Sequence, residues 1–329
     1  MFRNPHWNTI YASLLRPVPR VRFARERLEL DDGDFLDLDW SRTGSRKLLI
    51  VLPGLEGKSR SLYARAAVRY FNENGWDCLV PNYRGCSGDP NRLLRGYHMG
   101  ASDDLDPILD HLLASGRYDA IAFAGYSLGG NIALKYVGER AENLPKEIIG
   151  IVSFSAPMNL RGSCARLDDW DNWHFQRYFM FGLNWKAYQM KRRFPGQLNY
   201  NRWGPAGNFR DYDRGITAPA NGFPSVDAYY AAASCLPVLP RVNVPSLIVA
   251  AQDDTFITPE CVPHELAAKH PHLYLETPRY GGHCGFIRQH WEPSYWMEER
   301  ALAFLESHLA TESSTTPQQH PRFSKTLDV

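Results

Sequence analysis

The sequence has no C-x-x-C pair and no dense cysteine framework. Its six cysteines, Cys78, Cys86, Cys164, Cys235, Cys261 and Cys284, are scattered. That pattern argues against a disulfide scaffold and for free thiols in a reducing compartment. Charge of one sign is also lacking: 37 basic against 36 acidic residues leave a net charge of +1. The whole-chain balance gives no electrostatic case for nucleic acid or an anionic membrane surface as partner. No apolar run reaches the roughly 18 residues that span a bilayer. The start, Met1 to Asn8, lacks the basic-then-apolar form of a signal peptide, so a cytoplasmic protein is expected. There are no internal repeats. His270-Pro271-His272 is metal-like in composition only, and no other ligand cluster accompanies it. Neither a metal nor a cofactor is expected.

What remains is enough chain to bury a full core, 329 residues, with strand-like and helix-like segments in alternation. This predicts an α/β fold, a mostly parallel sheet of about eight strands with helices on both faces. Val21–Leu30 and Phe35–Trp40 flank the turn Asp31-Asp32-Gly33-Asp34 and read as an antiparallel hairpin. The continuous apolar runs Lys47–Leu52, Ile148–Ser155 and Ser246–Ala251 read as buried strands. Asp77–Tyr83 and Leu273–Glu276 complete the set, and Trp296–Leu309 reads as a closing amphipathic helix. Between Asn159 and Pro240 strand signals vanish and aromatics crowd in, which predicts a helical cap inserted between two strands. Those aromatics read either as cap core or as an apolar wall for an acyl chain. The expected organisation is a core of 20–158 and 241–310, a cap of 159–240, an N-terminal segment of 1–19 and a Ser/Thr/Pro/Gln-rich disordered tail of 311–329. The N-terminal segment is rich in aromatics and arginine; packing on the parent domain is the favoured reading, with peripheral contact to a membrane surface as the alternative.

The chemistry concentrates in Gly125-Tyr126-Ser127-Leu128-Gly129, which follows an apolar strand and runs into a helix-forming stretch. A serine hydroxyl becomes a good nucleophile when a sharp strand-to-helix turn exposes its Oγ and a histidine takes its proton. The glycines permit the turn, because a Cβ there would collide with the neighbouring strand or helix. G-x-S-x-G alone arises by chance in roughly one chain of this length in ten, so the partners decide. Two polar groups follow at later strand ends: Asp254, after Ser246–Ala251, and His283, after Leu273–Glu276. The order Ser, Asp, His is that of α/β-hydrolases. Asp253 competes with Asp254 for the orienting place; the D-x-[FIV]-[IV]-x-P spacing favours Asp254. The oxyanion hole is assigned to the backbone N–H of Leu128, at the helix N-terminus, and of Leu55, in the glycine-rich loop Leu52-Pro53-Gly54-Leu55-Glu56-Gly57.

Two further patterns are set aside. Gly54-Leu55-Glu56-Gly57-Lys58-Ser59 is close to a phosphate-binding loop, but that motif needs glycine where Leu52 stands. His98 and Asp103 match H-x-x-x-x-D, a pattern associated with acyltransferases. Ser102, Asp103 and Asp104 are read instead as a helix N-cap before Leu105.

With these residues in place, the chain resembles the AB hydrolase 4 family, the YheT-like branch of the α/β-hydrolases. The matching stretches are Leu52–Gly57, Pro81-Asn82-Tyr83-Arg84-Gly85-Cys86-Ser87-Gly88, Gly125–Asn131, Thr217–Phe223, Asp227–Tyr230 and Gly281-Gly282-His283. The resemblance spans about residues 20–310 and implies a Ser127–Asp254–His283 triad that hydrolyses carboxylic esters. One departure is Pro53-Gly54 where many relatives have His-Gly; the backbone donor survives and a side-chain contact is lost. The expected function is a serine esterase acting on short- or medium-chain acyl esters, a small-molecule substrate. Two alternatives stand beside it: an acyltransferase that delivers the acyl group to an alcohol, and a catalytically dead hydrolase fold used for binding.

Overall fold

The computed structural model describes residues 3–18, 20–198, 205–287 and 296–313. Among the described residues eight strands form one sheet: β1 Ala24–Glu29, β2 Phe35–Ser41, β3 Lys47–Leu52, β4 Asp77–Asn82, β5 Ala120–Tyr126, β6 Ile148–Phe154, β7 Ser246–Val249 and β8 Leu273–Glu276. Their order is β1-β2-β4-β3-β5-β6-β7-β8. β2 pairs antiparallel with both β1 and β4, and β3 to β8 run parallel. The C-terminal ends of β3, β5, β7 and β8 therefore share one edge, where open α/β sheets hold their ligands.

The helices are α1 Pro5–Ile10, α2 Leu62–Glu73, α3 Leu105–Ala114, α4 Leu128–Arg140, α5 Leu160–Leu167, α6 Trp173–Arg193, α7 Phe209–Tyr212, α8 Ala218–Ala220, α9 Val226–Ala233, α10 His264–Lys269 and α11 Trp296–Ser313. The strand period of two sorts the apolar run of β3 between two cores. Leu48, Ile50 and Leu52 join α3 and α4 on one side, while Leu49 and Val51 join α2 and α11 on the other. That is why β3 reads as a continuous apolar run: both sheet faces are covered.

The hairpin forms as its alternation predicts, with Arg25 opposite Asp39 and Arg27 opposite Asp37. The aspartates are buried, and each takes an arginine Nε across the strand pair at 2.8 Å. The polar face of β2 thus closes on ion pairs instead of water. Between β6 and β7 the described residues hold helices and no strand. The last helix runs to Ser313, three residues into the stretch expected as a disordered tail; 314–329 lie outside the described residues.

The N-terminal segment packs on the body. Asn8, Thr9 and Ala12 are buried. The Arg16 guanidinium lies 2.6 Å from Glu298 of α11, both side chains out of contact with solvent.

Candidate active site

Ser127 sits between β5 and α4 with φ of +53°, a left-handed backbone that few non-glycine residues adopt. Three neighbouring glycines allow it. A Cβ on Gly125 would lie 2.5 Å from the Gly129 oxygen, on Gly129 2.0 Å from the Leu52 oxygen, and on Gly130 2.4 Å from Ser153 Oγ. Helix α4 thus starts pressed against the ends of β3, β5 and β6, with Leu128 as its first residue.

The loop after β3 lies over Ser127: a Cβ on Gly54 would sit 3.4 Å from that of Ser127. Tyrosines hold this loop. Tyr63 Oη accepts the Gly54 N–H at 2.9 Å, and Tyr83 Oη donates to the Pro53 carbonyl at 2.8 Å. Tyr97 Oη accepts the Glu56 N–H at 3.0 Å and donates to the Glu56 carboxylate. From α6, Lys186 reaches the same carboxylate at 2.6 Å. Burial pushes the Tyr63 hydroxyl up to about 12, which keeps it neutral as a donor and acceptor. Asn82-Tyr83-Arg84-Gly85-Cys86 is scaffolding for this region. Asn82 binds the Asp37 carbonyl and the Asp39 carboxylate, and Arg84 bridges Asp32, Asp34 and Asp104.

At the ends of β7 and β8 the two aspartates divide the work. Asp254 is fully buried and faces His283 Nδ1 at 3.0 and 3.1 Å. Asp253 Oδ1 instead accepts the N–H groups of Gly281 and Gly282, each at 2.8 Å, and shapes the turn that carries the histidine. The imidazole stacks on Phe256, ring centroids 4.2 Å apart. Its backbone N–H donates to Thr9 Oγ1 at 2.9 Å, and Asn8 Oδ1 accepts from Ile287 at 3.2 Å. The sequence reading missed this support. Nothing local ties Thr9 to a residue 274 positions away.

Ser127, His283, Leu55 and Leu128 line one cavity of about 1470 Å³. Its walls are largely apolar, with Leu160, Phe179, Leu183 and Phe209 from the helices between β6 and β7. Phe179 and Phe209 also pack on the buried cluster of that helical stretch, so the aromatics there serve both as core and as cavity wall.

The structure does not join His98 and Asp103 in a second centre. Asp103 pairs with Arg95. His98 Nδ1 accepts the Gly100 N–H at 3.2 Å, and the ring stands edge-on to Phe223 and Tyr229. Burial depresses the His98 imidazole to about 4, so it is neutral at ordinary pH. The expected side-chain cap, by contrast, is corrected. Helix α3 does begin at Leu105, but no side chain caps it. Asp104 binds Arg84, Ser102 binds Glu139, and the Leu105 N–H takes the Ser102 carbonyl. Two nitrogens of the buried Arg84 guanidinium engage the Asp104 carboxylate, a paired charge-assisted contact that leaves it unavailable to the helix N-terminus.

All six cysteines are unpaired thiols. Among the described residues no helix is long and apolar enough to cross a membrane.

Residues 47–289 match the family model for the alpha/beta hydrolase fold. YheT of Escherichia coli (strain K12), whose name carries a provisional esterase assignment, is 33% identical over 95% of this chain and 93% of its own. Phospholipase ABHD3 of Homo sapiens is 28% identical over 92% of this chain and 77% of its own. Among solved structures, the Pyrococcus furiosus esterase Pf2001 superposes with a TM-score of 0.57, covering 88% of this chain and 98% of that one, at 17% identity. That last likeness is one of fold alone. The chain belongs to the alpha/beta hydrolase fold family, in the YheT-like branch that its motifs resemble.

Proposed function

We propose that this chain is a serine esterase that cleaves carboxylic esters of short or medium acyl chains. The observation that carries the reading is the strained Ser127 turn opening on the same cavity as an imidazole paired to a buried carboxylate. Ser127 Oγ attacks the ester carbonyl as His283 Nε2 takes its proton. The oxyanion is held by the N–H groups of Leu55 and Leu128. The imidazolium, steadied by Asp254 on its Nδ1 side, gives the proton to the leaving alkoxide. Water then enters, loses a proton to His283, and releases the acid from Ser127. The segment 159–240 serves as the cap over a core of 20–158 and 241–310, and its apolar wall receives the acyl chain. No metal or cofactor takes part in this scheme.

Phospholipids that carry acyl esters belong in the substrate screen, because a phospholipase stands among the relatives. The test is hydrolysis of an ester series from acetyl to palmitoyl, with and without an alcohol acceptor. Alcohol and water should compete for one acyl-enzyme, so an acceptor yields new ester at the expense of free acid. Ser127→Ala should lower kcat by about 10⁶ for both products. Transfer to alcohol that survives in Ser127→Ala would refute the single centre, and a folded wild type inert toward every ester would favour a binding protein.

A further inference from the structure

Helix α6 is apolar on two sides. Phe175, Met180, Leu183 and Ala187 face the body and are buried. On the opposite side Trp173, Tyr178, Phe181, Trp185 and Tyr188 face solvent, with Phe181 at 82% and Trp185 at 59% exposure. At about 100° per residue, Trp173, Arg177, Phe181, Trp185, Tyr188 and Arg192 fall within about 120° of arc. A helix apolar all round belongs inside a protein or against another apolar phase. Trp170, 87% exposed, precedes the helix, and Trp7, Leu14 and Leu15 of the N-terminal segment add three exposed apolar side chains. His6 stacks on Phe175 at 5.7 Å, which sets α1 beside the start of α6.

Two observations name the partner. The first is charge. Among its 21 residues α6 carries Arg177, Lys186, Lys191, Arg192 and Arg193 and no acidic residue. Lys186 is spent on Glu56, and Arg193 donates to the Asn91 carbonyl at 2.6 Å; Arg177, Lys191 and Arg192 are exposed beside the aromatics. The second is continuity with the cavity. Leu14, Tyr178 and Phe181 are exposed and also line it, so the patch borders its mouth. Exposed Trp and Tyr interleaved with Arg and Lys match the headgroup region of a bilayer, where aromatic rings bury their apolar part and cations meet lipid phosphate.

We propose that the exposed face of α6, with the exposed residues of the N-terminal segment, docks on an anionic lipid surface and presents the cavity mouth to it. Vesicle binding requires no turnover, so this proposal stands or falls separately from the esterase reading. The test is co-sedimentation of the full chain with phosphatidylglycerol-containing vesicles and with pure phosphatidylcholine vesicles, at low and high salt. Two variants accompany it, Trp185→Ser/Tyr188→Ser and Trp170→Ser/Trp173→Ser, with melting temperature as the control for folding. The wild type should bind anionic vesicles and lose binding as salt shortens the screening length from about 10 to about 3 Å. Each variant should bind at least about tenfold more weakly, since each loses two interfacial aromatics. Wild type that stays in solution with both vesicle types, or folded variants that bind as well as wild type, would overturn the proposal. So would equal, salt-insensitive binding to phosphatidylcholine. Concentration-dependent dimerisation without lipid that both variants abolish would assign the face to a second copy instead.

Discussion

At the residue scale, chemistry was easiest to read where it sits beside a local constraint. Ser127 was legible because its neighbours must be glycine, and the close approaches at Gly125, Gly129 and Gly130 show the physical reason. Asp254 and Asp253 are adjacent in sequence but face different partners, one the imidazole and the other two turn N–H groups. Asp254→Asn should therefore lower kcat by about 10⁴, through loss of the imidazole's orienting charge. Asp253→Asn should lower the melting temperature more than it lowers kcat on the folded fraction. Kinetics and thermal melts of the two variants check this, and the reverse ranking would exchange their roles. Thr9 was illegible as a positioning residue because its partner lies across the whole chain. Thr9→Val removes the acceptor of the buried His283 N–H, a loss of about 1–3 kcal/mol. The expected outcome is lower stability with lower kcat, and Thr9→Ser should restore both. A Thr9→Val variant indistinguishable from wild type would show that the contact does not matter.

At the scale of elements, period-two and continuous apolar patterns located the strand ends to within one or two residues, three at the start of β1, because burial on one or both sheet faces leaves a direct imprint on composition. The start of α3 was also placed well, yet its cap was misread. Ser102, Asp103 and Asp104 are good cap residues in isolation, but Arg84 arrives from 20 positions away and takes the Asp104 carboxylate. Asp103→Ala should thus cost no more than about 1 kcal/mol, the worth of an exposed pair with Arg95. In the helical stretch between β6 and β7, burial pushes the Asp213 carboxyl up to about 6. A carboxyl raised in the fold favours its protonated form there. Its contribution to stability is complete below the unfolded value near 4 and is lost as pH rises through about 6. Tyr230 Oη donates to Asp213 at 2.9 Å, a bond that an asparagine oxygen can also accept. Asp213→Asn should melt close to wild type at about pH 4 and above it past about pH 6, by an amount worth up to about 3 kcal/mol. A difference that does not change with pH would contradict the burial argument.

At the scale of the whole molecule, strand–helix alternation identified the fold class, but the place of β2 between β1 and β4 depends on pairings that no single segment encodes. Net charge is blind to where the charges sit. A balance of +1 hides a 21-residue helix with five basic and no acidic side chains. Only the fold shows that three of these cations and five aromatics share solvent-facing positions. The cavity is likewise a tertiary object, built from strand ends, the helical insertion and the N-terminal segment together. The account rests on Ser127 as a nucleophile activated by His283 in that cavity. Its most direct test is fluorophosphonate labelling of the folded chain, followed by peptide mass mapping. The adduct should form on Ser127 alone, be absent in Ser127→Ala and be strongly slowed in His283→Ala. Folded protein that takes no label, or takes it at another residue, would contradict the account.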